Sequence, residues 1–565
     1  MLDKIKFFIF IILSFSIFCA EIGKDKGAYL KTPNSKQIQY RLGNSIGYYG
    51  YGWNESKLSN LSSLAGYDGQ IKRLIEFHFN NWGYDTEIED CKKNKEYGLS
   101  DIIGYLGYPM KAHSSNSTGS SEFCFPENLY EPIWLDNGNI NSNNYWANYV
   151  FKTVSLYKDY IKIWESWNSP DFTNNYKNIE NWSNEKPNST DLIHWNGNIF
   201  QYIRLLRITY EVAKKIDPNC WISTGGIRHY QFLDAIMRFT DNPDEGKVSE
   251  EYPAYGGAYF DCIANYIYPE EYLTDIESGD IYNKNGSDIL AKKIAILKNN
   301  HYNITKNYGF NGQKYPEKIF INVETGLNSG NNSGQIGGDL IRRNWILKLA
   351  LYSIEYDIKQ IHFPNIADNN GGKGDFDKLG KYISIDEGLK TLKSSSKGRI
   401  VLKRINLGKY IFDKEKTIKF RKSLSNSMTG IVLKRNLPKE NDEKYNYDTI
   451  YSVWLFCENE EISEEKEIKL DIPFDPLMID WEGNEKKIKI KNKIKISSTP
   501  IFLLGNSKES KDSSKSSGFV TFLKVIGILL LIAVIIGIGL YIYKRYLTKK
   551  ELSLDDKNLN EGIVN

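Results

Sequence analysis

From about residue 40 to 395, short β-branched or aromatic runs alternate with longer amphipathic stretches, and this alternation limits the fold more than any other feature. Neighbouring parallel strands need long crossover connections, usually helical, so a strand-helix rhythm implies a parallel sheet covered by helices. Strands are expected at 45–51, 101–108, 160–168, 220–225, 259–268, 318–325 and 359–363, with a poorly marked second strand near 82–88. Helices are expected at 145–158, 199–215, 289–299 and 339–356. Seven or eight such units over some 350 residues fit a (β/α)8 TIM barrel with insertions, spanning 44–395.

The pattern then changes. Over 396–505, alternating stretches at 417–420, 429–433, 451–456 and 487–496 predict an all-β sandwich without helices. The segment 21–43 is expected to add strands to that module, from about 28–42. Residues 506–517 are polar and rich in Ser and Lys, the composition of a flexible stalk.

Both ends bear on location. Lys4 and Lys6 precede an apolar stretch ending near Cys19-Ala20, which reads as a secretory signal peptide over 1–20. An uncharged run at 525–543, within a helix expected over 518–543, is long enough to cross a bilayer. Lys544, Arg545, Lys549 and Lys550 follow it, so the tail 544–565 is expected on the cytoplasmic side. The expectation is a type I, single-pass plasma-membrane protein with an extracellular ectodomain.

Lys+Arg of 73 against Asp+Glu of 70 leaves a net charge of +3, which gives no reason to expect a nucleic-acid partner. Five cysteines remain after the signal segment, and their spacing suits no zinc site. No metal and no cofactor is expected. Cys91 and Cys124 flank one loop-rich region and are the preferred disulfide; Cys220 and Cys262 are either a second pair or buried thiols. Glycosylation sequons stand at Asn54, Asn60, Asn116, Asn181, Asn188, Asn285, Asn303 and Asn331.

Residues at the C-terminal ends of barrel strands face the active site in such folds. Two strand ends carry suitable chemistry: Trp167-Asn168-Ser169-Pro170, and Asn322-Val323-Glu324-Thr325-Gly326. Together with 146–171, 214–226, 259–269, 318–326 and the β module ending near Ser498, these stretches make the chain resemble a clan A glycoside hydrolase. The resemblance is to family 39, the β-xylosidase and α-L-iduronidase type, and covers most of 30–505.

The resemblance implies that Glu324 stands at the nucleophile position and that Ser169 replaces the acid/base glutamate. Asn168 matches the residue that binds the sugar 2-hydroxyl, and Trp167 is a candidate sugar platform. Tyr266 stands where the family often has a histidine, and Tyr268 belongs to the same substrate-binding strand. A retaining mechanism uses two carboxyls about 5–5.5 Å apart. A serine hydroxyl cannot protonate a leaving group, and loss of that step costs roughly 10²–10⁴-fold. Glu165, about 13 Å further down an extended strand, reads as a buried structural residue. Asp171 is the candidate for a displaced acid.

The expected function is a membrane-anchored surface protein with a degenerate glycosidase ectodomain that binds or displays carbohydrate rather than hydrolysing it. One alternative is an active surface O-glycosidase, retaining and β-xylosidase-like, with a displaced acid. Another is a structural surface antigen without a ligand. Whether the chain is an enzyme is left open, with the expectation leaning against it.

Overall fold

The computed structural model describes residues 38–506, apart from 46–51, 117–122, 270–285, 328–337, 365, 368–373, 377–378, 380–383, 440–443, 459–463 and 490. The expected signal peptide, stalk, membrane helix and cytoplasmic tail lie outside the described residues. So do Asn285, Asn331 and the segment 21–37. Among the described residues, no helix is long and apolar enough to cross a membrane.

Eight parallel strands close into a barrel in chain order. They are β1 (Arg41–Ser45), β2 (Gly69–Arg73), β3 (Ile102–Leu106), β4 (Ile161–Ser166), β5 (Trp221–Thr224), β6 (Cys262–Tyr266), β7 (Ile319–Glu324) and β8 (Ile358–Phe363). Closure depends on one glycine: Gly43 of β1 sits opposite His362 of β8. A Cβ at Gly43 would lie 2.3 Å from the His362 ring, so no other residue fits without displacing it.

Between the strands run α1 (Glu55–Leu64), α2 (Glu76–Trp82), α3 (Ile88–Glu96), α4 (Tyr145–Tyr157), α5 (Ile199–Ile216), α6 (Tyr230–Arg238), α7 (Ser287–Asn307) and α8 (Asp339–Glu355). Helix α5 shows why these segments are helical. Asn198 accepts from the Gln201 N–H and the Gln201 side chain accepts from the Asn198 N–H, both at 2.9 Å, forming a capping box. Lys214 and Lys215 occupy the last turn, where the helix dipole favours cations.

The strands separate two cores by their period of two. Ile71, Ile103, Ile163, Ala264, Ile319 and Ile321 fill the barrel interior. Trp164, Ile222, Ile263, Phe320 and Ile361 face the helical shell. In β4 this alternation sends Ile163 and Glu165 inward and Trp164 outward.

After β8 come α9 (Ile385–Leu389), α10 (Ser394–Arg404), β9 (Tyr410–Phe412) and α11 (Lys414–Ser423). The remaining strands are β10 (Met428–Arg435), β11 (Thr449–Leu455), β12 (Lys466–Ile468), β13 (Leu477–Ile479), β14 (Glu485–Lys487), β15 (Ile494–Ile496) and β16 (Ile501–Gly505). They form a six-stranded sheet, β14-β13-β16-β11-β10-β9, and a two-stranded pair, β12-β15.

Asp288 of α7 fixes this module to the barrel. Its buried carboxyl takes Lys348 Nζ at 2.6 Å and Tyr352 Oη, Trp454 Nε1 and Cys457 N at 2.8 Å. Four donors from α8, β11 and the chain just beyond β11 compensate a charge that burial would otherwise penalise.

Several expectations are corrected. The second strand is at Gly69–Arg73 rather than near 82–88, where α2 ends and α3 begins. The C-terminal module contains helices: 417–420 lies inside α11, which Asp413 caps by accepting from Lys416 N at 3.0 Å. Thr417 and Phe420 are its buried residues, three apart on one helical face, a spacing that a four-residue window confuses with alternation. The stretch 487–496 divides between β14 and β15, which belong to different sheets. Residues 41–42 open barrel strand β1 instead of joining the β module.

The expected Cys91–Cys124 disulfide is not formed. Cys91 is buried on α3, where burial pushes its thiol up to about 12, and Cys124 lies instead beside Asn196, whose Nδ2 is 3.8 Å from its sulfur. Cys220 and Cys262 are both buried thiols.

Candidate functional site

At the C-terminal mouth of the barrel, β2, β3, β4, β6 and β7 converge on a small cleft. Arg73, Tyr105, Tyr108, Glu165, Asn168, Tyr266 and Glu324 supply its polar lining, with Ser45, Ile71 and Val323 completing the wall. The cavity is about 30 Å3, the room of a few water molecules.

Glu324 ends β7 and is half-buried. Its Oε1 accepts a hydrogen bond from Tyr268 Oη at 2.7 Å. Burial, reinforced by the Glu324 carboxyl, raises the Tyr268 hydroxyl above its ordinary pKa, so it remains a proton donor. Tyr266 stacks edge-on against Tyr268 at 5.3 Å between ring centres, and the Arg228 guanidinium covers its ring at 4.3 Å. Glu324, Tyr268 and Tyr266 thus form one connected group on β6 and β7.

The end of β4 is conformationally unusual. Trp167 and Ser169 have φ of 77° and 42°, in the left-handed region that non-glycine residues seldom occupy. Between them Asn168 lines the cleft, while both neighbours are buried in protein. Ser169 is not among the lining residues, and its Oγ donates to Asn168 Oδ1 at 3.3 Å.

Trp167 is not a sugar platform. It is 0% exposed, packs against Trp195 at 5.0 Å, and donates from Nε1 to the His194 carbonyl at 2.6 Å. Asp171 does not swing to the mouth either. It is fully buried, and its Oδ2 accepts from the backbone N–H of Arg228 and His229 at 2.8 and 2.7 Å. Burial still pushes its carboxyl up to about 7, against those two bonds.

Glu165 is the residue that sequence reasoning undervalued. It is 3% exposed, as a structural residue would be, yet it lines the same cleft as Glu324 and Asn168. Its Oε1 accepts from the Gly226 N–H at 3.2 Å. A Cβ at Gly226 would meet Val323 at 2.9 Å, so glycine allows this close approach. Burial, with a smaller contribution from Glu324, raises the Glu165 carboxyl to about 8. The period of two from Ile163 was the signal that placed it inward. Arg73, Tyr105 and Tyr108 carried no such signal.

Away from the cleft, Glu55, Glu87 and Asp90 bring three carboxylates within 4.8 Å of one another. The Lys72 ammonium sits among them, paired to Glu55 and Glu87 and 3.5 Å from Asp90. A side-chain cation therefore already balances that cluster. Of the sequons, Asn54, Asn181, Asn188 and Asn303 are exposed, whereas Asn60 and Asn116 are partly covered. Asn54 also caps α1, accepting from Lys57 N at 2.9 Å.

No family model matches the chain, and no curated protein matches it in sequence. Solved structures do resemble it. A family 39 glycoside hydrolase from the gut symbiont Bacteroides cellulosilyticus WH2 aligns with a TM-score of 0.53 at 15% identity, over 84% of this chain and 82% of that one. A GH30 endoxylanase from Clostridium papyrosolvens C71 aligns at 0.46 and 10% identity, over 85% and 98%. A conserved exported protein from Bacteroides fragilis aligns at 0.47 and 9%, over 83% and 98%. At such identities the likeness is one of fold: a closed parallel barrel with an antiparallel β module, as in the family 39 glycoside hydrolase.

Proposed function

We propose that the chain is a cell-surface protein, held by its C-terminal apolar segment, whose glycosidase-like barrel binds or displays carbohydrate rather than hydrolysing it. The observation that carries this reading is the pairing of a polar cleft at the barrel mouth with a buried serine where the resemblance implies the acid. Glu324, Asn168 and Tyr266 line the cleft, and the Ser169 hydroxyl hydrogen-bonds sideways to Asn168.

The displaced-acid alternative loses its candidate, because Asp171 is committed to two backbone N–H groups. The antigen alternative predicts no ligand at all. The test is a glycan array probed with the full chain, beside turnover of aryl xylosides. Binding that Glu324→Gln weakens, without turnover, supports the proposal. Turnover abolished by Glu324→Gln would sink it, and absence of any glycan binding would favour the antigen.

A further inference from the structure

The proposed binding role leaves one group in the cleft without a task. Glu165 sits on β4, one inward position beyond Ile163, and among the described residues its one hydrogen-bond partner is the Gly226 N–H at Oε1. Its side chain lines the cavity. The groups around it come from five directions: Glu324 from β7, Arg73 from β2, Tyr105 and Tyr108 from the end of β3, Tyr266 from β6, and Tyr202 of α5 behind it. Burial and Glu324 favour the protonated form, while Gly226 N–H and Arg73 oppose it; the balance lies at about 8. At neutral pH this side chain therefore holds a proton, and a carboxylic acid can donate as well as accept.

We propose that Glu165 is the ligand-recognising donor of the cleft, giving its carboxylic O–H to a hydroxyl of a neutral sugar while Glu324 accepts from a neighbouring hydroxyl. This inference rests on the carbohydrate-binding reading above. Glu165 and Glu324 line one small cavity, so a single edge of a ligand reaches both. The Glu324 carboxyl in the same small cavity disfavours an anionic sugar edge beside it, since a further carboxylate adds like charge. A neutral polyol edge satisfies both groups at once.

The experiment is binding of the full chain to an array of neutral oligosaccharides at pH 6.5 and pH 9.5. Loss of the Glu165 proton removes one donor and leaves a buried charge facing the sugar, so affinity should fall about tenfold or more across this range. Glu165→Gln, which keeps an N–H donor and cannot ionise, should bind at pH 6.5 and lose the pH dependence. Asp171, which titrates at about 7, lies outside the cleft lining, so the fall that reports Glu165 is the one centred near 8.

Binding that is equally strong at both pH values overturns the inference while leaving the binding role intact. So does an alkaline loss that Glu165→Gln retains. Absence of glycan binding at pH 6.5 overturns the binding role and the inference with it. If Glu165→Gln fails to fold, the pH series on the unaltered chain decides alone.

Discussion

Tyr268 Oη stands 2.7 Å from Glu324 Oε1 and donates to it, so the acidic residue at the end of β7 is oriented by a phenol two positions beyond the end of β6. A hydrogen bond to a charged acceptor is among the stronger ones in proteins. Its removal should be felt by whatever Glu324 contacts. Tyr268→Phe is expected to fold, to lose about 1–2 kcal/mol of stability, and to bind glycan several-fold more weakly. Melting curves together with array affinities check this; unchanged affinity would mean that Glu324 needs no orientation by Tyr268.

Ser169 invites the reverse experiment, restoring the carboxyl that the resemblance implies. The structure argues that one substitution is not enough. Ser169 has φ of 42°, is buried, and is absent from the cleft lining. Ser169→Glu should therefore yield no turnover of alkyl xylosides and should destabilise the fold by about 2 kcal/mol or more, through burial of a carboxyl. Ser169→Gly, which accepts the left-handed backbone, should be neutral or stabilising by up to about 1 kcal/mol. Turnover appearing in Ser169→Glu would show that this loop can turn toward the cleft.

The barrel was legible because its signal is repeated: six of the eight strands, β3 to β8, fall at the expected runs, β1 ends at Ser45, where the run expected at 45–51 begins, and each strand is held by neighbours on both sides. The second strand was missed because β2, Gly-Gln-Ile-Lys-Arg, has one apolar residue. Its Lys72 is buried by an ion-pair cluster that no local pattern reveals. At the site, Glu324 and Asn168 were found from strand ends. Trp167 and Asp171 were misread because positive φ at 167 and 169 reverses the side chains around Asn168. A sequence does not display that reversal. Glu165 is buried, as expected, and also lines the cleft, since burial and access to a cleft are compatible at the inner end of a strand.

Asp171 makes a structural prediction in place of a catalytic one. Its Oδ2 satisfies two backbone N–H groups at the start of the segment leading to α6. Asp171→Ala leaves both buried without their acceptor and should cost about 2–4 kcal/mol. Asp171→Asn keeps an acceptor oxygen and should cost less. Glycan binding should survive in whatever fraction remains folded, as read by denaturation midpoints alongside array signal. Loss of binding in fully folded Asp171→Asn would return this residue to the ligand site.

Six buried groups of two kinds bear on the pH dependence of stability, and one of them, Lys318, is lowered by burial to about 7, so it adds stability as pH rises from there towards about 10.5. Burial lowers His229, His301 and His362 to about 3. For a depressed histidine, the unfolded chain binds the proton better, so stability is full above about 6.5 and is lost as pH falls towards 3. Glu165 and Asp171 behave oppositely. Their folded values of about 8 and about 7 lie above the ordinary carboxylate range, so their contribution is full below about 4 and is lost as pH rises to those values. Each group contributes a slope of about 1.4 kcal/mol per pH unit within its window. Between about pH 4 and 6.5 the three histidines outweigh the two carboxyls, leaving a net gain of about 1.4 kcal/mol per pH unit. Stability therefore peaks near pH 6.5, falls below it, and falls only briefly above it before Lys318 offsets the loss beyond pH 7. Urea denaturation at half-unit intervals from pH 4 to 9 should show it. Glu165→Gln should make stability rise between pH 7 and 8, where Glu165 and Lys318 otherwise oppose one another. An alkaline limb unchanged by that substitution would mean that Glu165 does not carry its proton in the folded state.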